Sequence, residues 1–221
     1  MNKKQIKISL ILNSVISFLV LLGTFFMVTG IKFMSQTETL SSTGFNPLKF
    51  YTVDSNILVG IASLILVIYE ISLLKNKKEY IPKIVYLLKY IATVAVSLTF
   101  IVTLLYLVPL YGSNFMYLYQ NSNLFFHLIV PILSVISYIL FEKNDMKFSY
   151  TFYGTSTMIV YGLYYATNVL LHQIDGKVTY EYDWYGFVQG GVSLMIIVIP
   201  IMFIVTYLIS FILYKLNKKV G

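Results

Sequence analysis

Two short polar stretches carry the residue types from which chemistry can be built. The first is Phe50-Tyr51-Thr52-Val53-Asp54-Ser55-Asn56, at the edge of a long apolar run. On a helix, the i, i+3, i+4 spacing puts Thr52, Ser55 and Asn56 on one face and leaves Asp54 pointing elsewhere. The second is Asn123, His127, Pro131 and Ser134, spaced by four, four and three and therefore also on one face. A threonine hydroxyl is a poor nucleophile unless a base removes its proton as it attacks, and a buried neutral imidazole can do this and return the proton to a leaving group. Ser55, Asn56 and Asn123 are candidates for hydrogen bonds to a substrate or to a developing oxyanion. A plain helix start at Thr52 or Asp54, as N-cap, is the competing reading of the first stretch.

The elements that must position these residues follow from composition. Of 221 residues, 58% are hydrophobic and 11% charged, against about 45–50% and about 25% in soluble domains. Several windows reach the roughly 20 apolar residues needed to cross a bilayer as a helix, and no period-2 barrel pattern is present. The chain is read as all-α, a polytopic bundle of six transmembrane helices over 8–28, 56–74, 84–110, 124–141, 150–171 and 185–213, forming a single domain over 1–221. Thr52 and His127 then lie on helices running in the same direction, at comparable height.

Lysine sets the expected orientation. All 16 basic residues are lysines, and twelve fall before span 1, between spans 2 and 3, between 4 and 5, or after span 6. The other side has Lys32, Lys49 and Lys177, and Lys89, inside span 3, is expected to snorkel to the basic side. The positive-inside rule then makes both termini cytoplasmic and opens the Thr52 and His127 ends outward. Anionic lipid headgroups account for the net charge of +7 without nucleic acid. The absence of arginine and the heavy use of Lys, Ile, Asn and Tyr point to an AT-rich bacterial genome, and so to a bacterial plasma membrane.

The chain has no cysteine and two histidines, His127 and His172, with no HExxH, P-loop or GxGxxG. Neither a metal nor another cofactor is expected. Span 5 places Tyr153, Thr157, Tyr161, Tyr165, Asn168 and His172 at helical spacing, with Tyr161, Tyr165 and Asn168 as candidate substrate contacts beside the alternative of helix packing. His172, near Asp175, Glu181, Asp183 and Trp184, reads as an interfacial histidine. Glu70 is expected to snorkel or to meet Lys75 and Lys77.

The pairing of Phe50-Tyr51-Thr52 on the second helix with Asn123, His127 and Pro131 on the fourth resembles the androgen-induced-gene family of integral membrane hydrolases, over roughly the first two thirds of the chain. That resemblance implies cleavage of fatty acid esters of hydroxy fatty acids, with Thr52 as nucleophile and His127 as its partner, on membrane lipids or fatty-acyl esters. Acyl transfer to an alcohol uses the same groups. A transporter or a noncatalytic scaffold are the alternatives. A pore needs polar residues through both leaflets, whereas the sequence puts them mainly at the outer ends of spans 2, 4 and 5, which favours a pocket.

Overall fold

The computed structural model describes residues 2–36, 43–175, 177–188 and 192–220. Among these the chain is helical, with a lone antiparallel bridge between Ile174 and Lys177 and no strand. Helix α1 is Lys3–Thr29, α2 is Tyr51–Leu74 and α3 runs from Lys83–Val102 through Thr103–Leu107 to Val108–Tyr111. Helix α4 is Ser122–Leu140, α5 is Tyr150–Tyr153 followed by Ser156–Leu171, and α6 is Val192–Val220. Helices α1, α2, α3, α4 and α6 are long and apolar enough to cross a membrane. The longer piece of α5 has 16 residues. Ile11, Phe18 and Leu21 on α1, Ile61, Leu64 and Ile68 on α2, and Ile196, Ile197 and Ile201 on α6 are exposed. Faces this apolar belong against lipid rather than water.

The boundaries shift where local chemistry overrides hydropathy. Helix α1 starts at Lys3 because Asn2 and Gln5 form a reciprocal capping box, and it ends at Gly30, whose φ of 71° suits glycine. Helix α2 begins at Tyr51 rather than 56, so Thr52 is already helical. The last helix begins later and ends later than 185–213. Tyr185 lies in a turn before it, and 189–191, inside the expected span, lie outside the described residues. Helix α5 is interrupted at Gly154 and Thr155, where α6 comes so close that a Cβ on Gly154 would sit 2.2 Å from the Ser210 hydroxyl.

Helix α3 is the centre of the bundle. Its residues 92–99 are all buried, as expected for a helix surrounded on every side, and it packs against α2, α4 and α6. Helix α1 lies against α2 and α4. Asn13 in the first half of α1 and Asn217 near the end of α6 both hydrogen-bond Glu142, so these parts of the two helices meet beside the end of α4.

Gly60 permits the closest approach of α1 and α2. A Cβ there would lie 2.7 Å from Cγ1 of Val20, and the Ser17 hydroxyl donates to the Gly60 carbonyl at 3.0 Å. Small residues allow this kind of backbone contact between membrane helices. Gly60→Val is expected to destabilise the protein by about 1–3 kcal/mol through overpacking, measured as a lower melting temperature in detergent. Unchanged melting would mean that α1 and α2 do not meet at Gly60.

Candidate functional site at the mouth of α2 and α4

The first turn of α2 is not held by a side-chain cap. Phe50 is the N-cap, and neither Thr52 nor Asp54 caps the helix. This corrects the helix-cap reading, although exposed Asp54 still lies where the helix dipole favours an acid. The polar residues make a different set of bonds. The Ser55 hydroxyl and the Asn56 amide both donate to the Thr52 carbonyl, at 3.0 and 2.7 Å. Ser55 also pairs with Thr99 of α3 at 3.1 Å. In the same turn, the Tyr51 N–H goes to the Tyr185 hydroxyl, and those of Val53 and Asp54 go to the Phe50 carbonyl. Among the described residues no such acceptor is found for the Thr52 N–H, as is usual for a first-turn position.

His127 lies in a π turn, Phe125–Ile129, within α4. Pro131 explains the turn. Proline has no N–H to give the His127 carbonyl, and its ring crowds that carbonyl, so the regular register fails. The chain widens instead, and the Val130 N–H bonds the Phe125 carbonyl five residues back. The same arrangement recurs in α3, where Thr103–Leu107 precedes Pro109. His127 is buried, and its Nδ1 lies 2.8 Å from the Leu118 carbonyl. A carbonyl only accepts, so Nδ1 carries the proton and Nε2 of the neutral ring keeps its lone pair.

Asn56 connects the two stretches. Its amide donates to the Thr52 carbonyl and also to the Phe126 carbonyl at 3.1 Å, so one side chain ties the backbone at Thr52 to that beside His127. No hydrogen bond joins Thr52 directly to His127. Because both Asn56 N–H groups have acceptors in the protein, Asn56 is a positioning group rather than an oxyanion donor in this arrangement. Ser55, bonded on two sides, is another. Asn123 is in the first turn of α4, with its N–H on the Gln120 carbonyl. Gly23 of α1 is pressed against Phe126, since a Cβ there would be 2.9 Å from the ring.

A cleft of about 560 Å³ lies on the adjacent face of α2, between it and α5. Tyr51, Asp54, Ser55, Thr157 and Tyr161 contribute to its wall, and Thr52 and His127 do not. The Tyr51 and Thr157 hydroxyls pair across it at 2.9 Å. Tyr161, a wall residue, donates to the Lys49 carbonyl at 2.6 Å and accepts from the Trp184 indole at 3.0 Å. Tyr165 and Asn168 serve the loop that follows α5 instead. Tyr165 donates to the buried Asp183 carboxylate, which also accepts from the Phe187 and Val188 N–H groups, and Asn168 donates to the Tyr182 carbonyl. His172 is exposed and stacks on Tyr182 at 3.6 Å.

The opposite end of the bundle departs from expectation. Lys89 does not snorkel and Glu70 does not reach for Lys75 or Lys77. Both are fully buried, as is Glu142. The polar residues are therefore not confined to the end of the bundle that holds Thr52 and His127. The sequence signal was present in ionisable residues lying within apolar runs, but snorkelling accounts for such residues equally well until the helix packing is known. No known protein family, curated protein or solved structure matches the chain.

Proposed function

We propose that the protein is an intramembrane lipid-ester hydrolase with Thr52 as nucleophile and His127 as general base, acting on fatty-acyl esters of the kind cleaved by the androgen-induced-gene family. The observation that carries the reading is the Asn56 bridge between Thr52 and Phe126, together with the Nδ1 anchor that reserves Nε2 of His127 as a base. A noncatalytic scaffold has no need to tie the backbone at Thr52 to the backbone beside His127.

The chemistry runs in two halves. The Thr52 hydroxyl oxygen attacks the ester carbonyl as Nε2 of His127 takes its proton. The tetrahedral oxyanion accepts from the N–H of Thr52, the first-turn amide of α2 for which no acceptor is found among the described residues. Collapse breaks the bond to the alcohol oxygen, which leaves with the proton from the imidazolium, and Thr52 carries the acyl group. Water then attacks the acyl-threonine with His127 again as base, releasing the fatty acid and restoring the hydroxyl. In this reading the adjacent cleft, which has Ser55 in its wall, would take part of an acyl chain. The test is turnover of a panel of acyl esters, including esters of hydroxy fatty acids, by purified wild type and Thr52→Ala. Turnover unaffected by Thr52→Ala would refute the assignment.

In this reading six helices span the membrane with both termini cytoplasmic, so that the site opens to the outer leaflet. Reporter fusions at Ser42, which lies outside the described residues, and at Asn144 are expected to be external and cytoplasmic respectively. The same location for both would overturn the orientation. A transporter is the second reading, favoured by buried Lys89, Glu70 and Glu142 at the other end of the bundle, which give polar character to both halves. Substrate movement into vesicles without ester cleavage would select it.

A further inference from the structure

Four helices contribute to a buried cluster in the half of the bundle away from Thr52. Ser9 and Asn13 come from α1, Ser63 and Glu70 from α2, Lys89 from α3 and Ser137 from α4, with Glu142 just beyond α4; all are buried. The Glu142 Oε1 accepts from the Ser137 hydroxyl at 2.6 Å and from the Asn13 amide at 3.0 Å. The same Asn13 amide reaches Ser137 and Ser9 at 3.2 Å each. Lys89 Nζ donates to Ser63 at 2.7 Å and stays 3.9 Å from Glu142 Oε1, an ion pair but beyond hydrogen-bond distance.

These bonds leave an imbalance. Both Glu70 oxygens, Glu142 Oε2 and Asn13 Oδ1 are buried without a hydrogen-bond partner. The Ser9 hydroxyl lies close to Glu70, and Glu70 is within electrostatic reach of Glu142 and Lys89. All four orphaned atoms are acceptors. With both carboxylates ionised, the ammonium leaves the cluster one negative charge in excess. Buried acceptors and buried charge of this kind are costly unless matched. A single proton would add one donor and leave other oxygens unmatched. A divalent ion would reverse the net charge beside a lysine.

We propose that Glu70, Glu142 and Asn13 form a binding site for a small monovalent alkali cation, independent of the Thr52 and His127 chemistry. Such hard cations take several oxygen ligands at once, and one positive charge neutralises the cluster. Carboxylate and amide oxygens from three segments would then be drawn together, so cation binding would tie α1, α2 and the end of α4 to one another.

The experiment uses the full chain in detergent. Melting is followed as sodium chloride replaces choline chloride at constant ionic strength, with a potassium arm and direct binding of radioactive sodium. Saturable stabilisation by an alkali cation is expected, on the order of 5 °C well above the dissociation constant. It should be lost in Glu70→Gln and Asn13→Ala and kept in Thr52→Ala. If Glu70→Gln does not fold, the wild-type cation series and sodium binding decide alone. Identical melting in sodium, potassium and choline overturns the site, as does an increment that survives in folded Glu70→Gln. A pH series covers the titratable groups coupled to the carboxylates, Lys89, Tyr86 and Tyr138. Melting that follows pH with no dependence on alkali cation also overturns it, and assigns the balancing charge to a proton.

Discussion

Covalent labelling by an alkyl fluorophosphonate is expected on Thr52, to be absent in Thr52→Ala, and to be slowed by about 10²-fold or more in His127→Ala through loss of the general base. Thr52→Ser should keep partial reactivity because it retains the hydroxyl and removes only a methyl. The reagent forms a phosphorus–oxygen bond to the nucleophile and expels fluoride, so it reports activation of the hydroxyl without any knowledge of the natural lipid. The structure adds a control. Asn56→Ala removes the bridge to the Thr52 and Phe126 carbonyls while leaving both reactive groups in place, so it should slow labelling without moving the adduct. Peptide mapping of the adduct separates this from labelling elsewhere. Folded wild type that neither labels nor hydrolyses any acyl ester, and matches Thr52→Ala and His127→Ala, would end the hydrolase reading.

What the sequence made legible was periodic. The order of the helices and the sharing of a face by Thr52, Ser55 and Asn56 rest on hydropathy and spacing, and the shared face reappears as two bonds onto the Thr52 carbonyl. Boundaries were less legible because they depend on single interactions. The Asn2 capping box extends α1, and Tyr185 makes turn contacts with Tyr51 and Tyr161 although it reads as apolar span. Pro131 was visible, but its consequence, a π turn that re-aims His127, depends on how α4 accommodates the lost N–H. The pairing of Tyr165 with Asp183 joins a helix to a loop 18 residues on, which no helical periodicity records. Lys89 and Glu70 were misplaced for the same reason. Their direction is set by which neighbours α2 and α3 choose, and hydropathy is silent on that choice.

Lys89→Met is expected to destabilise the protein by about 3–5 kcal/mol, the cost of breaking a buried ion pair from one side. Methionine keeps much of the apolar stem, so the loss comes from charge rather than volume. Glu70 and Glu142 would be left buried without the ammonium beside them, and the Ser63 hydroxyl would lose its donor. Adding Glu142→Gln should recover much of the loss, because a neutral amide keeps the side-chain shape and can still accept from Ser137 and Asn13, which now hold Glu142 Oε1. Thermal unfolding of the single and double variants in detergent measures both changes, and their difference gives the coupling between the two sites. A lysine that reached the aqueous face would behave otherwise. Its replacement by methionine would cost well under about 1 kcal/mol, as for surface pairs, and Glu142→Gln would add to it rather than compensate. Strong compensation, by contrast, requires that Lys89 and Glu142 meet inside the bundle.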